Sequence, residues 1–335
     1  MKQIVPFLMI PVLLGSARAE SQPKTEHDAI AKGLLRVEEG AARYLEKRKC
    51  FSCHHQALPI LNMTIAPKRG FVVEPAVLKK QIDRTVNYFR PQLEEIRKGQ
   101  WMPGGSPMAA YALVALGEAG YPRDEVTSSL VGYLLHHQEK EGCWQAIAQR
   151  PPSEGSRFTA TALVLRSLQI YRPAVGADTA RELRERAETA TIKAKTWIQS
   201  TKPETTEDKS FALRGLVYGA ADRKRIDEAR DALVKEQHAD GSWGQVSGMP
   251  GDAYATATVL TALHAAALKN DDPANRKGIQ YLLETQRDDG SWVVTTRAKP
   301  VQVFFDNGDA GGKSQFISFT ATNWALLALL ESNGR

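Results

Sequence analysis

Five consecutive residues carry the most reactive chemistry in the chain: Cys50-Phe51-Ser52-Cys53-His54. Two thiols three positions apart, followed at once by an imidazole, have the spacing at which a covalent haem c is attached. The thiols form thioethers to the porphyrin, and the histidine is presented to the iron as proximal ligand. The same residues allow two other chemistries. One is a Cys50–Cys53 disulfide, structural or redox-active; the other is a metal site drawing on Cys50, Cys53, His54 or His55. For a distal ligand, Met63 reads as part of the helix that follows His54, so it points along that helix and away from the opposite haem face. Met102 and Met108, which flank the loop Pro103-Gly-Gly105, are the better candidates, with His136, His137 and His238 near the same end of their own repeats. Cys143 is the third and last cysteine, and three are too few for a disulfide scaffold in an exported chain of 335 residues. It is a free thiol or, without haem, a partner for Cys50 or Cys53.

Export is expected from the first nineteen residues. Lys2, an apolar core over Ile4–Leu14 and the small-x-small end Ala17-Arg-Ala19 form a secretory signal peptide, cleaved before Glu20. The protein is then periplasmic or secreted, the compartment in which c-type haem is attached. No later apolar stretch has the length of a membrane span. The formal charge is +6, or +4 once Lys2 and Arg18 leave with the leader. The basic residues are scattered among acidic ones, as in Arg181–Arg186, which marks a solvated surface and not a nucleic-acid footprint.

Residues 20–335 read as one domain built from repeats. Gln138-x-x-x-Gly142-x-Trp144, Gln237-x-x-x-Gly241-x-Trp243 and Gln286-x-x-x-Gly290-x-Trp292 share one spacing. Each follows a half-polar helical segment such as Arg225–Glu236 and precedes an apolar run: Phe158–Ile170, Tyr254–Leu263 and Phe319–Leu330. The glycine stops the first helix, polar residues make the turn, and the tryptophan plugs the gap between neighbouring hairpins. Weaker copies stand at Gly99-Gln-Trp101 before Met108–Ala119, and at Trp197-Ile-Gln199 before Phe211–Ala220. In the first copy, Ala42–Lys49 and Leu58–Ala66 enclose Cys50–His55 where the others place tryptophan. About six hairpins of roughly fifty residues result, each an outer helix, a turn and a buried inner helix.

These turns and alternating helices resemble the repeats of squalene and oxidosqualene cyclases and of protein prenyltransferase β subunits. The resemblance covers about residues 28–332 and implies an all-α fold, a closed α/α toroid. It does not carry over those families' mechanisms. The cyclases protonate an alkene with an Asp-x-Asp-Asp cluster, and the matching stretch here, Gly251-Asp252-Ala-Tyr254-Ala-Thr256, has a single carboxylate. Asp271-Asp272-Pro273 reads as a helix N-cap with proline after it. The Asp, Cys and His zinc set of the prenyltransferases is missing from Gly311–Trp324, and the thioester Cys-Gly-Glu-Gln of complement-like toroids is missing altogether. What remains is a pocket at the turn end. Asp252, Tyr254 and Arg297 are its catalytic candidates, with Arg157, Asn323 and Trp324 at inner-helix starts and the loop Arg297–Gly312 across the mouth. That loop is either functional or a lid that plugs the mouth with Phe304 and Phe305.

Three functions follow. The first is a haem-bearing redox protein with a redox partner. The second is a toroid that binds or modifies a terpenoid or another small apolar ligand. The third is an interaction scaffold.

Overall fold

The computed structural model describes residues 25–148, 150–172, 178–300 and 303–334. The expected signal peptide, residues 1–19, lies outside the described residues.

The half-polar segments fold as the outer helices α1 (Glu26–Lys47), α3 (Pro75–Phe89) with the short α4 (Leu93–Arg97), α6 (Glu125–His136), α8 (Asp178–Ser200), α10 (Arg223–Lys235) and α12 (Pro273–Thr285). The apolar runs fold as the inner helices α2 (Leu58–Ile65), α5 (Gly105–Glu118), α7 (Arg157–Ile170), α9 (Thr206–Tyr218), α11 (Ala253–Ala265) and α13 (Gln315–Ser332). An inner helix such as α11 is buried from Ala253 to His264, whereas outer α10 buries only Ile226 and Leu233. Neighbouring inner helices pack in chain order, and α13 returns to α2, so the ring is closed. The sequence expectation of an α/α toroid is therefore met. Helix starts are capped as their residues dictate: Asp272 caps α12 with Pro273 behind it, and Thr205 with Asp208 forms a capping box on α9.

The repeated motif works by joining hairpins. The Gln237 amide donates to Gly241 O in its own turn at 2.9 Å and to Ala274 O of the next outer helix at 2.9 Å. Gln138 does the same to Gly142 O and Ala190 O, each at 2.8 Å. Trp144, Trp243 and Trp292 are fully buried, and each indole N–H donates to the last turn of the preceding outer helix, at Leu134 O, Leu233 O and Leu282 O. The glycine's role differs from the expected one. The outer helix has already ended before the motif begins, at His136, Lys235 or Thr285. Gly142, Gly241 and Gly290 instead take positive φ, and a Cβ on any of them would collide with the backbone of the next outer helix, at Lys193, Lys277 or Lys32. Glycine is thus required for close approach.

Two weaker copies depart from the pattern. Trp197 lies inside α8, where its ring packs 4.6 Å from Phe158. The outer helix of the first hairpin runs from Glu26 and not from Ala42.

The last turn seals the ring on the first helix. Gln286 Nε2 donates to Ala29 O at 2.8 Å, and Gly290 lies against Lys32. Replacing Gly290 by alanine forces both a strained φ and a backbone collision. The Gly290→Ala variant is expected to lose about 2 kcal/mol or more of unfolding free energy in urea titration. An unchanged midpoint would contradict this account of ring closure.

Candidate functional site

Two polar clusters lie on the inward side of the ring. The first is built on the cysteine turn. Ser52 caps a single π-helical turn, Cys53–Ala57, which runs straight into α2. Its hydroxyl accepts from His55 N–H at 3.2 Å, and its own N–H donates to Gln56 Oε1 at 2.8 Å. The wide turn points three successive side chains at different partners, an arrangement often found at functional sites.

His55 is fully buried between two aromatic rings, Tyr44 at 4.7 Å and Phe319 at 4.1 Å. Phe319 reaches it because residue 40 on α1 is glycine; a Cβ there would strike the Phe319 ring. His55 Nε2 meets Asp309 Oδ2 at 2.6 Å, and Asp309 also accepts from Arg43 at 3.0 Å and Asn307 at 2.8 Å. Burial raises the Asp309 carboxyl, but these donors outweigh it and hold the group down at about 2. The ionised Asp309 therefore accepts a hydrogen bond from His55 Nε2–H. That leaves a lone pair on His55 Nδ1, which faces His54 Nδ1 in a short contact. The proton shared there belongs to His54 Nδ1, and the His54 Nε2 lone pair is left without a hydrogen-bond partner among the described residues. Burial, with His55 beside it, lowers the His54 pKa well below the ordinary imidazole value, so the ring is neutral.

The two thiols of the turn are free and diverge. Cys50 is exposed, with its Sγ 3.1 Å from Tyr44 Oη. Cys53 is half-buried; burial and then Glu154 push its thiol pKa up, so it is a thiol and not a nucleophilic thiolate. Cys143 is buried and free, in contact with Arg157 Nη2 at 2.6 Å. Among the described residues no group of three His, Cys, Asp or Glu side chains is arranged to hold a metal ion. Of the distal candidates, Met108 packs against Gly104, and Met102 is buried in the core.

The loop after the last motif turn is clamped. Lys47 donates to Asp306 O at 3.1 Å, Arg36 to Gly308 O at 3.2 Å, and Arg48 sits 3.4 Å above the Phe305 ring. Phe305 packs on Phe316 at 5.2 Å, and Phe316 lies 5.4 Å from the His54 ring. Phe304 is half exposed, and Phe305 is the one of the two aromatic rings that packs inward, on Phe316.

The second cluster was not visible in the sequence. Glu207, in the first turn of α9, points inward and is buried. Its carboxyl accepts from Thr159 Oγ1 of α7 at 2.6 Å and from Tyr254 Oη of α11 at 2.8 Å. Burial outweighs both donors and pushes its pKa up to about 7. Tyr111 of α5 is buried with its phenol pKa raised, first by burial and then by Glu207 and Cys53, so four helices and the cysteine turn address one interior. Seven residues on from Glu207, on the same face of α9, Arg214 lies 5.0 Å over the Trp324 ring and 5.6 Å from Phe211.

Of the catalytic candidates, only Tyr254 belongs to this cluster. Asp252 is the N-cap of α11, bonded to Ala255 N–H at 2.9 Å and to Gln245 Nε2 at 2.8 Å. Gln245 Oε1 in turn accepts from Arg297 Nε at 2.5 Å. Asp252 and Arg297 are thus joined, but as a strut between a helix start and the loop. Asn323 and Trp324 also move from their expected place. Because α13 begins at Gln315, a turn earlier than expected, both are mid-helix; Asn323 pairs with Asn62 of α2, and Trp324 faces the interior.

Residues 211–335 match the family model of the squalene-hopene cyclase C-terminal domain. Squalene–hopene cyclase of Bradyrhizobium diazoefficiens is 33% identical over 118 residues, 35% of this chain and 17% of that one. The probable squalene–hopene cyclase of Sinorhizobium fredii is 34% identical over 108 residues, 32% of this chain and 16% of that one. The chain therefore spans about a sixth of the length of the curated relatives it matches. Among solved structures, a variant of the type II terpene cyclase MstE from Scytonema, bound to geranylgeranyl dihydroxybenzoate, has a TM-score of 0.52 at 17% identity, covering 91% of this chain and 98% of that one. A glycosidase variant in complex with glucose has a TM-score of 0.54 at 10% identity, covering 93% and 99%.

The raised Glu207 pKa has a measurable consequence. The folded state holds its proton more tightly than the unfolded chain, so its stabilising contribution is complete below pH 4 and is lost as pH rises through about 7. In urea unfolding, Glu207→Gln should match the parent near pH 4 and exceed it at pH 8 by roughly 2–3 kcal/mol. A difference independent of pH would overturn the assignment. The fold is thus the α/α toroid of the terpene cyclases, with the squalene-hopene cyclase pattern carried by residues 211–335.

Proposed function

We propose that the interior of the toroid receives a small apolar, isoprenoid-like ligand, with Glu207 as the group that holds a proton beside it. One observation carries this reading: Glu207 is a buried carboxyl held by the hydroxyls of Thr159 and Tyr254, its pKa pushed up by burial to about 7, in a fold whose neighbours include a terpene cyclase bound to a geranylgeranyl compound. A carboxyl poised at that value is protonated for a large part of the time at neutral pH and transfers protons efficiently to oxygen or another polarised group. It is too weak an acid for an unactivated alkene. The reading is therefore binding, or acid-assisted modification of an oxygenated isoprenoid, without Asp-x-Asp-Asp chemistry. Thr159 and Tyr254 orient the carboxyl, and the Asp252–Gln245–Arg297 strut braces the loop across the mouth.

A second reading is favoured by the cysteine turn. The free thiols of Cys50 and Cys53 and the unpartnered Nε2 of neutral His54 are the donors that a covalent c-type haem requires. When bound, such a group would supply one-electron chemistry to a redox partner. In that case Asp309 and His55 keep the His54 proton on Nδ1 and so orient the ring, as carboxylate–histidine pairs do behind other ligand histidines. Export through residues 1–19 belongs to the same reading.

One purified preparation tests both. Isoprenoid alcohols and acids should raise the melting temperature by several degrees, and Asp252→Asn or Arg297→Ala should reduce that response. A response to sugars in place of isoprenoids would contradict the first reading. Protein matured with a c-type haem system should show a visible band that survives denaturation and disappears in Cys53→Ala; colourless protein of unmodified mass would remove the second.

A further inference from the structure

The strongest unexplained feature of the interior is Arg214. Its side chain is buried, at 8% exposure, yet no carboxylate among the described residues forms an ion pair with it. Nη1 donates to Tyr218 Oη at 3.2 Å, while Nε and Nη2 are buried with no acceptor. Trp324, 2% exposed, lies beneath the guanidinium, and its indole N–H is likewise buried with no acceptor. The ring faces of Phe211 and Trp324 attract the cation but leave its hydrogen-bond donors unfilled. A buried arginine without an anion is costly, and each unfilled donor adds to the cost. Glu207, on the same face of α9, is near enough to be felt electrostatically but forms no bond to it. Three donors with no acceptor, on two side chains whose guanidinium and ring lie 5.0 Å apart, describe a seat for oxygen atoms that the chain itself does not provide.

We propose that Arg214 Nε and Nη2, with Trp324 Nε1, bind the anionic head of the apolar ligand, a carboxylate or a phosphate. The inference rests on the apolar-ligand reading above and specifies its substrate class. A guanidinium offers a carboxylate or phosphate two parallel donors, and the indole offers a third. Phe211 and Trp324 then flank the first part of the apolar chain. Because Glu207 lies two helical turns from Arg214, the ligand enters head first and presents a point about 10 Å from its head to the protonated carboxyl. That distance sets a minimum length for a productive ligand.

Calorimetry on the full chain with geranylgeranoic acid, geranylgeranyl phosphate and geranylgeraniol tests the seat. At least one of the two anions should bind about 10–100-fold more tightly than the alcohol, the range expected of charge-assisted hydrogen bonds. Which anion binds better identifies the head. Arg214→Met should abolish that preference while leaving affinity for the alcohol within about threefold, as loss of a charge-assisted contact alone predicts. The same variant should melt higher than the parent without ligand, since an uncompensated buried cation has been removed. Equal binding of acid, phosphate and alcohol, or a variant that loses all three alike, overturns the anion seat and leaves the apolar-ligand reading standing. Failure of all three to bind the parent overturns that reading and the seat with it. A variant that keeps the anion preference overturns the assignment to Arg214.

Discussion

Everything in this molecule depends on the docking of each hairpin turn against the next outer helix. In the three turns that carry the full motif, a glutamine amide ties its own turn to the neighbouring backbone, and a glycine lets the two chains approach to backbone contact. The six hairpins are stable only as a closed set, because each inner helix is apolar nearly all round and needs neighbours on both sides. The set closes through Gln286 and Gly290 on α1. Closure has a chemical consequence. The first turns of the inner helices meet inside the ring, and a polar residue there is buried and depends on partners from neighbouring elements.

Two solutions to that constraint are present. Around Asp309, the donors are strong enough to overcome burial: His55, Asn307 and Arg43 keep the carboxyl ionised. Around Glu207, two neutral hydroxyls are not enough, and burial keeps the proton on. The same residue chemistry is thus split into a fixed anion and a poised acid by the number and strength of the donors that reach each carboxyl. Arg214 is the third case, a cation with aromatic faces and no anion. Glu207 and Arg214 are both uncommon states for buried groups, and both lie along one face of α9.

The sequence made the ring legible and left most of the interior hidden, for physical reasons. The Gln-x-x-x-Gly-x-Trp spacing is legible because backbone contact tolerates only glycine and because one side-chain amide must span two carbonyls. The cysteine turn is legible as a motif, yet the partner that fixes its histidines, Asp309, is more than two hundred and fifty positions away and no local pattern reveals it. Glu207 is hidden in the sequence because Glu207-Asp208 reads as the acidic first turn of a helix, and Asp208 does serve the capping box. The available signal was the carboxylate directly before the cap partner, at the start of an otherwise apolar inner helix. Asp252 drew attention for the opposite reason: it is the lone acid at the position where the cyclases carry their cluster, and its side chain is used to cap α11.

The central claim is that Glu207 is a poised acid on the toroid axis. Carbon-13 NMR of protein labelled at glutamate carboxyls, with Glu207→Gln to assign the resonance, reads its titration directly. A midpoint close to 7 is the predicted result. A midpoint in the ordinary carboxylate range, near 4, would contradict the account and leave the toroid without the acid that its proposed chemistry requires.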